Sequence, residues 1–290
     1  MSHKVVDYLQ LIRAPAVFTA LSNIVAAQWI VNEGRVNWEA MSLLGITSLC
    51  LYVSGMILND CFDYHEDCLE RPGRPLPSGR VSRKLAWQLG WLLLAAGLVA
   101  SALYGYKQLL IAFLLSACIV FYNAAAKKRM YGSLVMGACR YGNWLLGLST
   151  SAFEVTHFLM AAPIFIYVSA LTLLSTIETS ASNKNLLVGC SIGMLMCALT
   201  IFYIQSRSPE LSAIAFIALS GGGLFVFNRL HTTYQDFSPK QIQTTIKYLV
   251  MGIIPLDVLM VLSTTANASA IVLLFLMLPG WLLARSLRVT

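Results

Sequence analysis

The sequence predicts an all-α integral membrane protein, a bundle of nine to ten transmembrane helices, and three observations carry that reading. Of 290 residues, 58% are hydrophobic and only 11% are charged, whereas a soluble domain carries about 25% charged residues. The apolar residues fall in runs of about 17–22, long enough for a helix to cross a hydrocarbon core of about 30 Å. The basic residues divide unevenly between the loops on alternate sides of those runs. Helices suit such runs because lipid offers no partner to an open backbone.

The runs place helices at 14–32, 40–58, 84–104, 108–123, 133–150, 158–177, 186–204, 210–228, 242–263 and 267–284, the last two separable or continuous. The first follows Lys4 and Arg13 and has the look of a signal peptide, but the later spans favour an uncleaved first helix. It carries Asn23, which either joins helices or points into a chamber. The second ends in the acidic stretch after Asn59. Pro72, Gly73, Pro75, Pro77 and Gly79 then forbid a continuing helix. A connection of that length in a compact membrane protein reads as functional, such as a lid.

The fourth helix closes on Tyr122 and Asn123, ahead of Lys127, Lys128 and Arg129. The fifth holds Arg140, which at that depth needs a partner, a water-filled cavity or a ligand. Glu178 or a bound phosphate would serve, and a purely structural ion pair is the alternative. The sixth ends at Thr176-Ile-Glu178-Thr179-Ser180. Ser208-Pro209 and Ser238-Pro239 break the chain before the eighth and ninth helices. Gly221-Gly222-Gly223 reads as a close-packing or kink site, because no strand precedes it as a phosphate cradle requires. Asp257 in the ninth is a further buried charge or a hydrogen bond between helices.

The net charge of +7 suggests nucleic acid only until it is mapped. With the N-terminus inside, sixteen basic residues lie on the cytoplasmic side and only Arg35, Lys107 and Arg207 outside, with Arg140 within a span. That is the positive-inside pattern. It points to a multi-pass protein of the inner (plasma) membrane, with the lipid bilayer and not nucleic acid as its partner. Seven scattered cysteines without a CxxC pair imply no disulfide framework, and four distant histidines imply no zinc site. Residues 1–290 read as a single membrane domain.

Polar chemistry gathers on the cytoplasmic side, after every second helix. Of 13 acidic residues, five fall between Asp60 and Glu70. On a helix Asn59, Asp63 and Asp67 share a face, with Asp60 one turn from Asp63. Clustered carboxylates repel until a cation arrives, and their oxygens suit Mg²⁺. Asn59, Asp60, Asp63 and Asp67 are therefore the expected metal ligands. Arg71, Arg74 and Arg80 follow at once and supply planar forks for phosphate oxygens. Acid and base together describe a seat for a metal-bound diphosphate. His65 reads as a solvated loop histidine, and Lys128 and Arg129 as topology anchors.

Asn59-Asp60-x-x-Asp63-x-x-x-Asp67 resembles the first aspartate-rich motif of the UbiA superfamily of intramembrane prenyltransferases. Arg74-Pro-Leu-Pro-Ser-Gly-Arg80 is similar to that family's cap loop. Arg13-Ala-Pro15 is similar to its N-terminal Arg-Pro, and Tyr122 with Lys127 to its Tyr/Lys pair. The resemblance implies a helical bundle around a chamber open to the membrane, with cytoplasmic cap loops. It implies Mg²⁺ on the aspartates, a prenyl diphosphate with its tail among the helices, and a small, aromatic acceptor. Asp63, Asp67, Lys127 and Tyr122 take the catalytic positions. Asn59, Arg71, Arg74, Arg80, Arg140, Asn23 and Glu178 take the substrate-binding ones.

Two features depart from the family pattern. Its second aspartate-rich motif shrinks here to Glu178, a reduced metal or acceptor ligand or merely a helix-end residue. The fifth helix carries Cys139-Arg140-x-x-Asn143. Both are similar to the EboC branch. The expected function is a Mg²⁺-dependent prenyltransferase. The alternative is a catalytically reduced relative that binds or transports an isoprenoid or aromatic metabolite.

Overall fold

The computed structural model describes residues 3–129, 131–208, 212–265 and 268–287, and no strand occurs among them. Pro209 and Arg288 lie outside the described residues, as does the side chain of Lys4. A short helix, α1 (His3–Leu11), precedes α2 (Ala14–Val31), α3 (Trp38–Phe62), α4 (Tyr64–Glu70), α5 (Arg83–Tyr104) and α6 (Tyr106–Phe121). After a π-turn at Tyr122–Ala126 come α7 (Gly132–Leu148), α8 (Val155–Ser175), α9 (Lys184–Arg207), α10 (Ala213–Gln235), α11 (Pro239–Met251) and α12 (Ile253–Thr265). A 3₁₀ segment, Ala268–Leu276, leads into α13 (Met277–Leu287).

Among the described residues, nine helices or joined segments are long and apolar enough to cross a membrane. Helix α7, with 17 residues, sits at the lower limit of length for a spanning helix. The chain is a multi-pass integral membrane protein. Several boundaries differ from periodicity. Helix α3 runs to Phe62 rather than residue 58, so Asp60 lies inside it. The ninth span breaks at Gly252. Pro255 cannot donate to the Met251 carbonyl, and a Cβ at Gly252 would stand 2.5 Å from the Tyr167 hydroxyl. That hydroxyl donates to the Leu249 carbonyl at 2.8 Å, tying α8 to the break.

Small residues let the helices approach. A Cβ at Gly90 of α5 would come within 2.8 Å of Leu58, and one at Gly147 of α7 within 2.6 Å of the Ala27 Cβ. Lipid supplies no hydrophobic drive between helices, so such close packing is what holds them. The main buried cluster joins α2, α7, α8, α9, α11 and α12. Gly221-Gly222-Gly223 behaves differently from the close-packing or kink site expected. Helix α10 passes through it unbroken, and a Cβ at any of the three meets nothing within 4 Å.

Candidate functional site

A cavity of about 960 Å³ opens between α2, α3, the π-turn, α7 and α8, and its mouth carries most of the charged residues singled out above. The acidic stretch is not one helix. Helix α3 stops at Phe62, and Asp63 joins it to α4. The i→i−4 ladder nevertheless continues across the joint. The amide of Asp63 donates to the Asn59 carbonyl at 3.0 Å, that of Asp67 to Asp63 at 2.9 Å, and that of Arg71 to Asp67 at 2.9 Å. All four side chains therefore stay on one line, and all four line the cavity.

Opposite them stands the π-turn. The Lys127 amide donates to the Tyr122 carbonyl at 2.9 Å, an i→i−5 bond. The extra residue in that wider ring places Lys127 above Tyr122 and Asn123, where an α-helix would place Ala126. The Lys127 ammonium pairs with the Asp63 carboxylate and donates to Asn59 Oδ1 at 3.3 Å. Asn59 Nδ2 in turn donates to Asn123 Oδ1 at 2.9 Å, and Asn123 Nδ2 to the Gly55 carbonyl at 3.1 Å. Asn59 Oδ1 also accepts from Arg13 Nη2 at 3.3 Å. Arg13 adopts the left-handed backbone, with φ 49°, which costs about 1–2 kcal/mol for a residue with a Cβ. That turn between α1 and α2 aims its guanidinium at the mouth.

Every carboxylate of the stretch from Asp60 to Asp67 has a cation of its own. Arg74 Nη1 lies 2.7 Å from Asp67 Oδ2 and 3.6 Å from Asp60 Oδ1. Arg13 Nη2 is 3.7 Å from the same Asp60 oxygen. Lys128 pairs with Glu66 outside the membrane, and its hydrogen bond holds the Glu66 carboxyl below the usual range while raising the lysine. Arg71 Nη2 reaches Glu178 Oε1 at 3.5 Å, spanning the mouth from the cap loop to the end of α8. Glu178 thus joins the same cavity as the aspartates, and its partner is Arg71 rather than Arg140.

Other expected site residues stand elsewhere. Asp60 is buried and faces Arg13 and Arg74, not the cavity. Arg74 stays outside the lining, committed to two aspartates. Arg80 is drawn away by Asp7 of α1, with Nε 2.8 Å from its carboxylate, and Nη2 donates to the Gly73 carbonyl at 2.9 Å. It braces the cap loop instead of lining the cavity. Asn23 is wholly buried against Asp257, out of the lining. His65 is exposed. Tyr122 lines the cavity.

Arg140 faces the deep end of the cavity, with Tyr52, Ser48 and Asn143. Its Nη2 donates to Thr19 Oγ1 at 2.9 Å and its Nη1 to Asn23 Oδ1 at 3.3 Å. Tyr52, Asn123 and Ser48 were not among the expected site residues. Asn123 had a signal, a polar residue at a helix mouth beside Tyr122. Tyr52 had none, since it sits in an apolar run.

Asn59, Asp63 and Asp67 offer only oxygen donors, the hard ligands that Mg²⁺ prefers. Among the described residues no three His, Cys, Asp or Glu side chains converge as a ready cage. The set fits an ion of the kind held by one or two carboxylates and completed by phosphate oxygens. Below the mouth the lining turns apolar, with Leu51, Met56, Leu115, Ile119, Met136 and Val168.

Comparison with known proteins identifies the fold and the family. The UbiA prenyltransferase family matches residues 20–186. A digeranylgeranylglyceryl phosphate synthase of Ignicoccus hospitalis is 30% identical over 176 residues, 59% of this chain and 57% of that protein. The chain spans 29%, 57% and 47% of the lengths of three synthases of that name. A solved structure of digeranylgeranylglyceryl phosphate synthase superposes with a TM-score of 0.69 at 18% identity, covering 92% of this chain and 100% of the other. A UbiA homologue from Archaeoglobus fulgidus bound to GPP and Mg²⁺ superposes with a TM-score of 0.64 at 13% identity, covering 84% and 99%. The shared fold, and a family match across more than half of the residues, make this chain a member of the UbiA prenyltransferase family.

Proposed function

We propose that the chain transfers an isoprenyl group from a prenyl diphosphate to an acceptor held in the chamber, and that residues 1–290 work as one membrane domain. One observation carries this reading: Asp63 and Asp67 stand with Lys127 and Arg71 around the mouth of a cavity that turns apolar below, while Arg74 backs Asp67 from outside the lining. The same mouth suits a metal, an anion and a hydrocarbon tail together. The Archaeoglobus homologue bound to GPP and Mg²⁺ supports both donor and ion.

Asn59, Asp63 and Asp67 would hold Mg²⁺, which when bound neutralises charge on the departing diphosphate. Lys127 and Arg71, freed from Asp63 and Glu178, would turn to the phosphate oxygens, where charge grows as the allylic C–O bond breaks. Tyr122 stands beside Lys127 and closes that side of the site. The apolar wall excludes water from the electron-poor carbon, so that the acceptor, and not solvent, supplies the new bond. The acceptor gives up a proton and pyrophosphate leaves. By the positive-inside pattern the mouth faces the cytoplasm of the plasma membrane. The EboC-like features belong to this reading as variations of the same site: Glu178 ties the mouth and Arg140 sets the floor.

Purified protein given Mg²⁺ and radiolabelled prenyl diphosphates of several lengths should release pyrophosphate, and Asp63→Ala should abolish the release. Binding of the diphosphate without release, across donors and acceptors, would instead assign the chain to the carrier alternative.

A further inference from the structure

We infer that Cys118 and Cys139 form an oxidation site in the chamber wall, a dithiol that an organic hydroperoxide converts to a disulfide clasping α6 to α7. Its effect on donor binding rests on the proposed transfer reaction, whereas the site itself does not. Cys139 Sγ donates to Cys118 Sγ at 3.6 Å, and Cys118 Sγ donates in turn to the Val135 carbonyl at 3.6 Å. Of the seven cysteines, Cys50 and Cys68 are half-buried like this pair but have no sulfur beside them, and Cys61, Cys190 and Cys197 are buried.

A sulfur contact alone does not make a disulfide, because the bond needs Cβ atoms about 3.5–4.5 Å apart. The seam between α6 and α7 meets that condition. The two helices are neighbours joined by the π-turn and run in opposite directions. Three residues back on α6 therefore meet three residues forward on α7, and Leu115 faces Gly142 as Cys118 faces Cys139. A Cβ on Gly142 would stand 3.6 Å from the Leu115 Cβ. One turn from the sulfurs, the backbones already approach as closely as the bond requires. Closing the sulfurs to about 2.0 Å is then chiefly a matter of side-chain rotation.

Cys139 lines the cavity and Cys118 does not, so the pair runs through its wall. The apolar lining there, with Leu115, Ile119 and Val168, suits an oxidant carried on a hydrocarbon. The Cys139 sulfur takes the terminal oxygen of the hydroperoxide as the O–O bond breaks, and the thiol proton goes to the departing alkoxide, giving an alcohol and a sulfenic acid. The Cys118 sulfur then attacks the sulfenic sulfur, the S–O bond breaks, and the hydroxyl leaves as water with the Cys118 proton. The two sulfurs give up two electrons, and the hydroperoxide accepts both.

The disulfide would link residues 21 apart in the chain, and the segment between them contains the π-turn and Lys127. Diphosphate binding asks Lys127 to leave Asp63 and turn to the phosphate oxygens. A hairpin pinned at its seam yields less to that movement, so oxidation weakens donor binding.

The test treats the full chain in nanodiscs with cumene hydroperoxide, then N-ethylmaleimide, and maps the cysteines by non-reducing mass spectrometry. A crosslink between Cys118 and Cys139 should form and be reversed by dithiothreitol, while Cys50 and Cys68 are recovered as alkylated thiols. Oxidation should lower the affinity for Mg²⁺–pyrophosphate about fivefold or more. By linkage, saturating Mg²⁺–pyrophosphate should shift the pair's equilibrium with glutathione toward the dithiol by the same factor. Cys118→Ser, outside the cavity lining, should form no crosslink and should bind Mg²⁺–pyrophosphate as the reduced chain does, with or without the peroxide. Absence of the crosslink, or Cys139 ending as a sulfinic acid instead, would overturn the site. A crosslink that leaves Mg²⁺–pyrophosphate affinity unchanged would overturn its effect on the donor. Failure of the reduced chain to bind Mg²⁺–pyrophosphate would instead sink the proposed reaction, and the crosslink result would still decide the oxidation site.

Discussion

Removing Arg74 should make the stability of this protein depend on Mg²⁺. Its Nη1 lies 2.7 Å from Asp67 and 3.6 Å from Asp60, whose side chains are 6% and 8% exposed while that of Arg74 is 25% exposed. At an effective dielectric of about 20 the gross attractions are about 6 and about 5 kcal/mol. Breaking a buried pair by deleting one partner costs about 3–5 kcal/mol. Partial solvation of Arg74, and Arg13 at 3.7 Å from Asp60, reduce the expected loss for Arg74→Ala to about 2 kcal/mol. The two carboxylates left behind repel each other and attract a divalent ion more strongly than before. Mg²⁺ at about 100 times its dissociation constant returns about 2.7 kcal/mol, enough to offset the loss. Thermal unfolding followed by tryptophan fluorescence, with and without Mg²⁺, reads both effects. Arg74→Ala should melt lower in chelator and recover in Mg²⁺ more than the unaltered chain does. Arg74→Ala with Asp67→Asn should be less destabilised in chelator than Arg74→Ala alone. A Mg²⁺-independent loss, or a double variant worse than the single, refutes the electrostatic account of the mouth.

Three further outcomes follow from the same geometry. Lys127→Met removes the cation shared by Asn59 and Asp63 and should slow pyrophosphate release about 100-fold or more, measured at saturating donor. Glu178→Gln releases Arg71 from the end of α8, so the apparent affinity for prenyl diphosphate should rise in equilibrium binding while Mg²⁺ affinity alone stays unchanged. Gly147→Val collides with Ala27 and the Ile24 carbonyl, at 2.6 and 3.3 Å from its Cβ, and should cost about 1–3 kcal/mol of stability. Gly222→Ala on α10 should cost nothing by comparison, since its Cβ meets no atom.

Much of the mouth was legible because charge is scarce in this chain. A carboxylate at the end of an apolar run can be noticed by spacing alone, and Asn59, Asp63, Asp67 and Arg71 do line the cavity. Which cation meets which carboxylate was not legible. Arg80 belongs to the same cap-loop run as Arg74, yet Asp7 of α1 captures it. Asn23 finds Asp257 at a separation of 234 residues, which no periodicity encodes. The Gly221–Gly223 run shows the converse, a packing signal at positions where a Cβ would meet nothing within 4 Å. Helix existence followed from hydropathy. The joint at Asp63, the π-turn and the break at Gly252 did not, because each hinges on one residue's hydrogen bonds.

Those three irregularities all border the chamber. In hydrocarbon a broken backbone ladder is tolerated where it lines a polar cavity or is covered by protein. The joint at Asp63 turns α4 across the mouth while keeping its ladder to Asn59 and Asp67. The π-turn carries Lys127 to Asp63. The break at Gly252, covered by Tyr167, starts α12, which delivers Asp257 beneath the floor. Each departure from regular helix therefore positions a charged side chain at one end of the same chamber. Straight helices supply the apolar wall between those ends, and pairing within the chain keeps both ends close to electrically balanced. That division puts charged side chains at the ends of the chamber and its apolar lining between them.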